Sequence, residues 1–111
     1  MDPQVRMPVV AGQFYEANPV ALERQIQECY LHRLGPGRLP ELAPHGPRRI
    51  VGLVSPHAGY VFSGPVAAHG FAALAADGEP EVVVVVGLNH GRMGLHPAVQ
   101  TAGAWRTPLG D

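Results

Sequence analysis

Six histidines are spread through the 111 residues, and two of them stand where an imidazole can do chemistry. His57 follows the apolar run 50–54 (Ile-Val-Gly-Leu-Val) within Ser55-Pro56-His57-Ala58-Gly59-Tyr60. His90 follows the valine run 82–86 within Gly87-Leu88-Asn89-His90-Gly91. Continuous branched apolar runs of this length suit strands buried on both faces of a parallel sheet. In open α/β sheets ligands bind outside the carboxyl ends of the strands, and neighbouring strands lie about 4.8 Å apart. Parallel strands over 50–54 and 81–86 would therefore bring both imidazoles out on one edge. Two neutral imidazoles converging there suit iron, copper or zinc, and the nearby glycines let the backbone approach a bound group closely. Spacing alone leaves a second reading open, because loop histidines are commonly solvated or stabilise turns. Mononuclear metals also usually take three or more protein ligands, and this spacing supplies two.

The other candidates carry less. His32 falls at a charged helix end, His45 in a Pro/Gly loop and His96 before a proline, all expected in solvent. His69 falls on a helix, where packing or capping is expected rather than ligation. Cys29 lies on an apolar helical stripe, and a cysteine there behaves as a small hydrophobe. Ser55 and Ser63 flank His57, but no acid is placed to orient a nucleophilic triad. The glycine-rich loops match no Walker or dinucleotide fingerprint. Phe14, Tyr15, Tyr60 and Phe62 could line an apolar pocket above the strand ends or serve as ordinary core.

The elements that must position these residues are legible in outline. Residues 1–17 read as an extended leading segment. Asn18-Pro19 opens a helix over 18–33, with Asn as cap and Pro at the first position, where its missing N–H is harmless. Leu22, Ile26, Cys29 and Leu34 form the apolar stripe, and Gly35-Pro36-Gly37 stops it. Residues 35–48 hold four prolines and three glycines, giving a loop with scope for movement that is not a domain boundary. Ser63-Gly64-Pro65 reads as the start of a second helix over 64–76, with Ser63 as cap and small residues that allow close packing on a sheet. Asp77-Gly78 ends it. The order strand, helix, strand predicts a right-handed βαβ unit. Residues 98–101 read as a short third strand, and Thr107-Pro108-Leu109-Gly110 as turn chemistry. So small a sheet implies further strands beyond residue 111.

Composition sets outer bounds. A hydrophobic fraction of 46% with 15% charged residues describes a folding chain rather than a disordered one. The net charge of −1 gives no basic surface for nucleic acid. A single cysteine excludes an internal disulfide framework and suits a reducing compartment. Met1-Asp2-Pro3-Gln4 resembles no secretory signal, and the apolar runs fall far short of the roughly 20 residues that span a bilayer. A cytoplasmic protein is expected, with no membrane or nucleic-acid partner.

Several motifs stand in register along the whole chain: Ala11-Gly12-Gln13-Phe14-Tyr15, Pro56-His57-Ala58-Gly59-Tyr60, Ser63-Gly64-Pro65-Val66-Ala67-Ala68-His69, Gly87-Leu88-Asn89-His90 and Trp105-Arg106-Thr107-Pro108-Leu109-Gly110. Their order and spacing resemble the Memo family, whose bacterial and archaeal members are called AmmeMemoRadiSam system protein B. The match is to the N-terminal part of a family member. The resemblance implies an α/β fold, mostly parallel with flanking helices, similar to class III extradiol dioxygenases (LigB-like) and incomplete in this chain. Residues 1–111 would then be the N-terminal portion of a single Memo-like domain. It implies His57 and His90 as metal ligands, with a third ligand, a cysteine, and an Asp/His pair supplied by later segments absent here. Cys29 is not at the matching position. Phe14 corresponds to an aromatic near the family pocket, and Phe14 with Tyr60 is expected to bind substrate. Leu88 stands where the family usually has proline, a loop adjustment only.

Three functions follow as expectations. The first is a non-haem iron or copper oxidoreductase, dioxygenase-like, with a functional link to radical-SAM and AMMECR1-like proteins. The second is a non-enzymatic protein that uses the same pocket for a small molecule or peptide, phosphotyrosine-containing ligands having been suggested within the family. The third is an inactive fragment, marginally stable alone because a half-built sheet leaves an open edge.

Overall fold

The computed structural model describes residues 4–91, Gly94 and 98–111; His96 and the first three residues lie outside them. Its elements are β1 (Val5–Arg6), α1 (Pro19–Leu31), α2 (Tyr60–Asp77) and β2 (Ala104–Trp105).

Helix α1 begins where the sequence places it. The Asn18 side-chain oxygen accepts from the Val20 and Ala21 N–H groups at 3.0 and 3.1 Å, which satisfies two of the orphan donors of the first turn. The helix ends at Leu31, earlier than the expected 33, because the chain folds back on its own carbonyls. His32 adopts an extended backbone, and its Nδ1 accepts from Leu34 N–H at 3.0 Å. Gly37, at a φ of 75° that favours glycine, donates its N–H to the Tyr30 carbonyl at 2.8 Å. Leu34 leaves the apolar stripe and is exposed.

Helix α2 starts one turn before the expected Ser63. Gly59 is its cap residue and offers no side chain, while the Gly59 carbonyl accepts from Phe62 and Ser63 N–H. Pro65 is tolerated inside the helix near its start, although it withholds one intrahelical donor. The expected stop at Asp77-Gly78 holds, with Gly78 at φ 109°.

Small residues of α2 pack on α1 at Gly64 and against Leu53 at Gly70, with no sheet beneath them among the described residues. Leu22 (3% exposed) and Ala68 (4%) are the buried apolar side chains among the described residues. A Cβ built on Gly64 would fall on Cys29 Sγ, so glycine is what lets the helices approach there. His69, expected to pack or cap, donates from Nε2 to the Leu34 carbonyl at 2.9 Å, in the loop beyond the end of α1.

The Pro/Gly loop is pinned rather than loose. Ala43 N–H donates to the Ala75 carbonyl and Arg48 N–H to that of Asp77, at 2.8 and 2.7 Å, so the loop caps the end of α2. Buried Asp77 reaches back, its two carboxylate oxygens accepting from Arg49 and Ile50 N–H at 2.9 and 2.8 Å. Those bonds, the Arg49 N–H first, hold the Asp77 carboxyl below its ordinary pKa.

The sheet departs from the sequence reading. Neither 50–54 nor 81–86 forms a strand, nor does 98–101, so the expected βαβ unit is not formed among the described residues. An apolar run specifies that a segment wants burial, but a strand exists only when a neighbour takes up its backbone donors and acceptors. The parallel pairing instead joins β1 to β2, Val5 opposite Ala104 and Arg6 opposite Trp105. Arg6 lies over the Trp105 ring at 4.6 Å, a cation–π contact that locks this register. Residues 107–110 close into a turn, followed by a two-bonded Arg106–Asp111 pair at 2.6 Å. The chain is α/β, with two packed helices and one short parallel strand pair.

Candidate metal centre

His57 and His90 meet. Their Nε2 atoms are 3.1 Å apart, with ring centroids at 5.3 Å and planes tilted by 32°. Both side chains are exposed. At this distance one ring donates its N–H to the other, or both turn lone pairs toward a shared cation. The separation suits either arrangement: it is an ordinary N–H···N hydrogen-bond length, and nitrogens each about 2.1 Å from one ion and this far apart would subtend about 95°, close to a cis pair. Among the described residues no group of three metal-ligating side chains occurs, so the pair supplies two donors and no third.

The backbone that follows His57 is tied at two points. Tyr60 N–H donates to the Phe14 carbonyl at 2.8 Å, which clips the Ala11–Tyr15 turn to the start of α2. That turn closes on itself, Gly12 N–H donating to the Tyr15 carbonyl at 2.7 Å with Gly12 at φ 81°. Ser63 Oγ donates to the Ala58 carbonyl at 3.1 Å, so Ser63 is not the helix cap that its position before Gly-Pro suggested. A side-chain bond of this kind has no signature in a single sequence.

Behind His57 lies an open cavity of about 500 Å³ between the two helices. Phe14, Tyr15, Tyr30, Tyr60 and Phe71 line it, and none of the described lining residues is Asp, Glu, Lys or Arg. Phe14 and Tyr60, expected at a substrate pocket, are thus beside His57; Phe62 points away and is 85% exposed. Tyr15 and Tyr60 form a tilted aromatic pair with centroids 5.6 Å apart. Burial, then Tyr15 and Cys29, push the Tyr60 phenol up, which keeps it a hydrogen-bond donor. Cys29 also lines the cavity, an outcome foreseen only as packing. Burial, then the Glu28 carboxylate, push its thiol up, away from the thiolate a metal would need. His32 and His69 make the hydrogen bonds described above, and His45 is exposed.

The family model described as "Memo-like protein" matches residues 6–111, nearly the whole chain. The chain belongs to the Memo-like family. It is 56% identical over 106 residues to a MEMO1 family protein of Methanopyrus kandleri, covering 96% of this chain and 37% of that protein. It is 50% identical to one of Methanothermobacter thermautotrophicus and 49% to one of Thermotoga neapolitana, covering 38% and 39% of those proteins. This Memo-like chain therefore spans well under half the length of these relatives. No solved structure matches it. Among its described residues, no helix is long and apolar enough to cross a membrane.

Proposed function

We propose that this chain carries two ligands of a non-haem metal site, His57 and His90, and serves a metal-dependent oxidoreductase built on a dioxygenase-like Memo fold. The observation that carries the reading is the 3.1 Å approach of the two Nε2 atoms from segments 33 residues apart in sequence. Bringing two exposed imidazoles this close costs conformational freedom, and a shared cation is the strongest compensation available to them. A bound iron or copper ion would supply Lewis acidity and one-electron chemistry. The residues of this chain have separate tasks. His57 and His90 hold one side of the ion, the Tyr60 phenol remains a donor toward the cavity, and Phe14 and Tyr15 keep water from its apolar wall. A remaining donor would come from the part of its relatives' length that this chain does not span.

A second reading draws on the uncharged, aromatic lining of the cavity: capture of an apolar ligand without chemistry.

Titration with copper(II), and with iron(II) under anaerobic conditions, separates the two. Losing an outer partner of a ligating histidine costs about 10–100-fold in affinity, so losing the ring itself should cost at least that. One equivalent bound by the unsubstituted chain, and weakened at least about tenfold in both His57→Ala and His90→Ala, is the expected result. Equal binding by all three proteins would sink the ligand assignment and leave the apolar-ligand reading.

A further inference from the structure

Sequence position casts Ser63 as a helix cap, but the structure gives it other work. It is the fourth residue of α2, and its own N–H already donates to the Gly59 carbonyl at 3.1 Å. Serine hydroxyls inside helices commonly bond back to the carbonyl four residues earlier. For Ser63 that carbonyl is Gly59, which already accepts from the N–H groups of Phe62 and Ser63. The hydroxyl reaches one residue further, outside the helix, and donates to the Ala58 carbonyl at 3.1 Å. Ala58 directly follows His57.

The His57 ring is exposed, so packing does little to fix it, and its placement depends on the backbone that carries it. The next backbone bond along the chain is Tyr60 N–H to Phe14. Between these two ties the peptide units of residues 58–59 have little freedom to rotate. Without the hydroxyl, the Ala58 carbonyl loses this tie, and a modest rotation there displaces the His57 imidazole, whose Cγ lies six bonds from the Ala58 carbonyl carbon. Such a displacement lengthens the 3.1 Å pair distance.

We propose that Ser63 is a positioning residue for the histidine pair: by holding the Ala58 carbonyl it sets the His57 backbone and keeps the His57 ring against His90. The metal consequence rests on the reading of His57 and His90 as ligands; the positioning itself does not. Alanine is the best helix former, so Ser63→Ala leaves α2 intact while removing the hydroxyl. Ser63→Thr keeps a hydroxyl at the same place.

The test uses the full chain in three forms: unsubstituted, Ser63→Ala and Ser63→Thr. In metal-free protein, the nuclear Overhauser contact between the His57 and His90 rings should be present, lost in Ser63→Ala and restored in Ser63→Thr, with equal helix content by circular dichroism. Copper(II) titration should show Ser63→Ala binding roughly fivefold more weakly, the scale of one intramolecular hydrogen bond, and Ser63→Thr recovering it. An unchanged ring contact in Ser63→Ala would overturn the proposal. A loss shared by Ser63→Thr, or accompanied by loss of helix, would overturn it too, since the hydroxyl would not be the cause. If the unsubstituted chain binds no copper or iron, the ligand reading fails, and the ring contact still decides the role of Ser63.

Discussion

The helical pair and the valine-rich runs are both apolar, yet the chain treats them in opposite ways. Between α1 and α2, Leu22 and Ala68 are buried, Gly64 gives way to Cys29, and each helix end is capped by loop or side chain. The run 82–86 contains the strongest strand signal in the sequence, but Val84 is 82% exposed and no ladder forms. The difference lies in where each element finds its hydrogen bonds. A helix satisfies its backbone internally and needs a neighbour only along one stripe. A strand satisfies neither its backbone nor its faces without flanking strands and covering layers. The half of the molecule that can be built from local bonds is built. The half that needs a sheet presents only its raw material.

That contrast can be broken by measurement. The largest effect belongs to Leu22→Ala, which empties the most buried side-chain site; about 2–5 kcal/mol of stability should go, read by urea denaturation. A loss under about 0.5 kcal/mol, the range of surface changes, would mean that the helical interface is not the organising core. Next comes Gly64→Ala, which places a methyl on Cys29 Sγ and should cost about 1–3 kcal/mol by overpacking. Cys29→Ala in the same chain should recover much of that, because the two groups compete for one space. If it recovers nothing, the helices are not in contact there.

A third measurement uses pH. The Asp77 carboxyl is held below its ordinary value by the Arg49 and Ile50 N–H groups and binds its proton less readily in the folded chain. Its stabilising contribution is therefore complete above the ordinary carboxylate range. It is lost as pH falls through the depressed folded value. Asp77→Asn should flatten that acid limb of the stability profile, and an unchanged limb would mean that the clamp between the loop and α2 is unimportant. The smallest effect is predicted for Val84→Thr, within about 0.5 kcal/mol of the parent, as for other exposed substitutions. A cost comparable to Leu22→Ala would show that the valine run is packed in solution and would erase the distinction between the two regions.

The sequence by itself determined whatever depends on near neighbours and on side-chain chemistry. Asn18-Pro19 announced α1, Asp77-Gly78 ended α2, and the motifs around His57 and His90 identified the family. These are legible because capping and turn preferences act over a few residues. Tertiary structure decided what depends on partners distant in sequence. It paired Val5–Arg6 with Ala104–Trp105, turned the small face of α2 toward α1, pinned the Pro/Gly loop on Asp77, and moved Ser63 from cap to clasp. Burial patterns state that a residue needs a neighbour without saying which one. The 3.1 Å meeting of His57 and His90 belongs to both kinds. Residue type and motif marked the two imidazoles, and the fold alone set the distance between them.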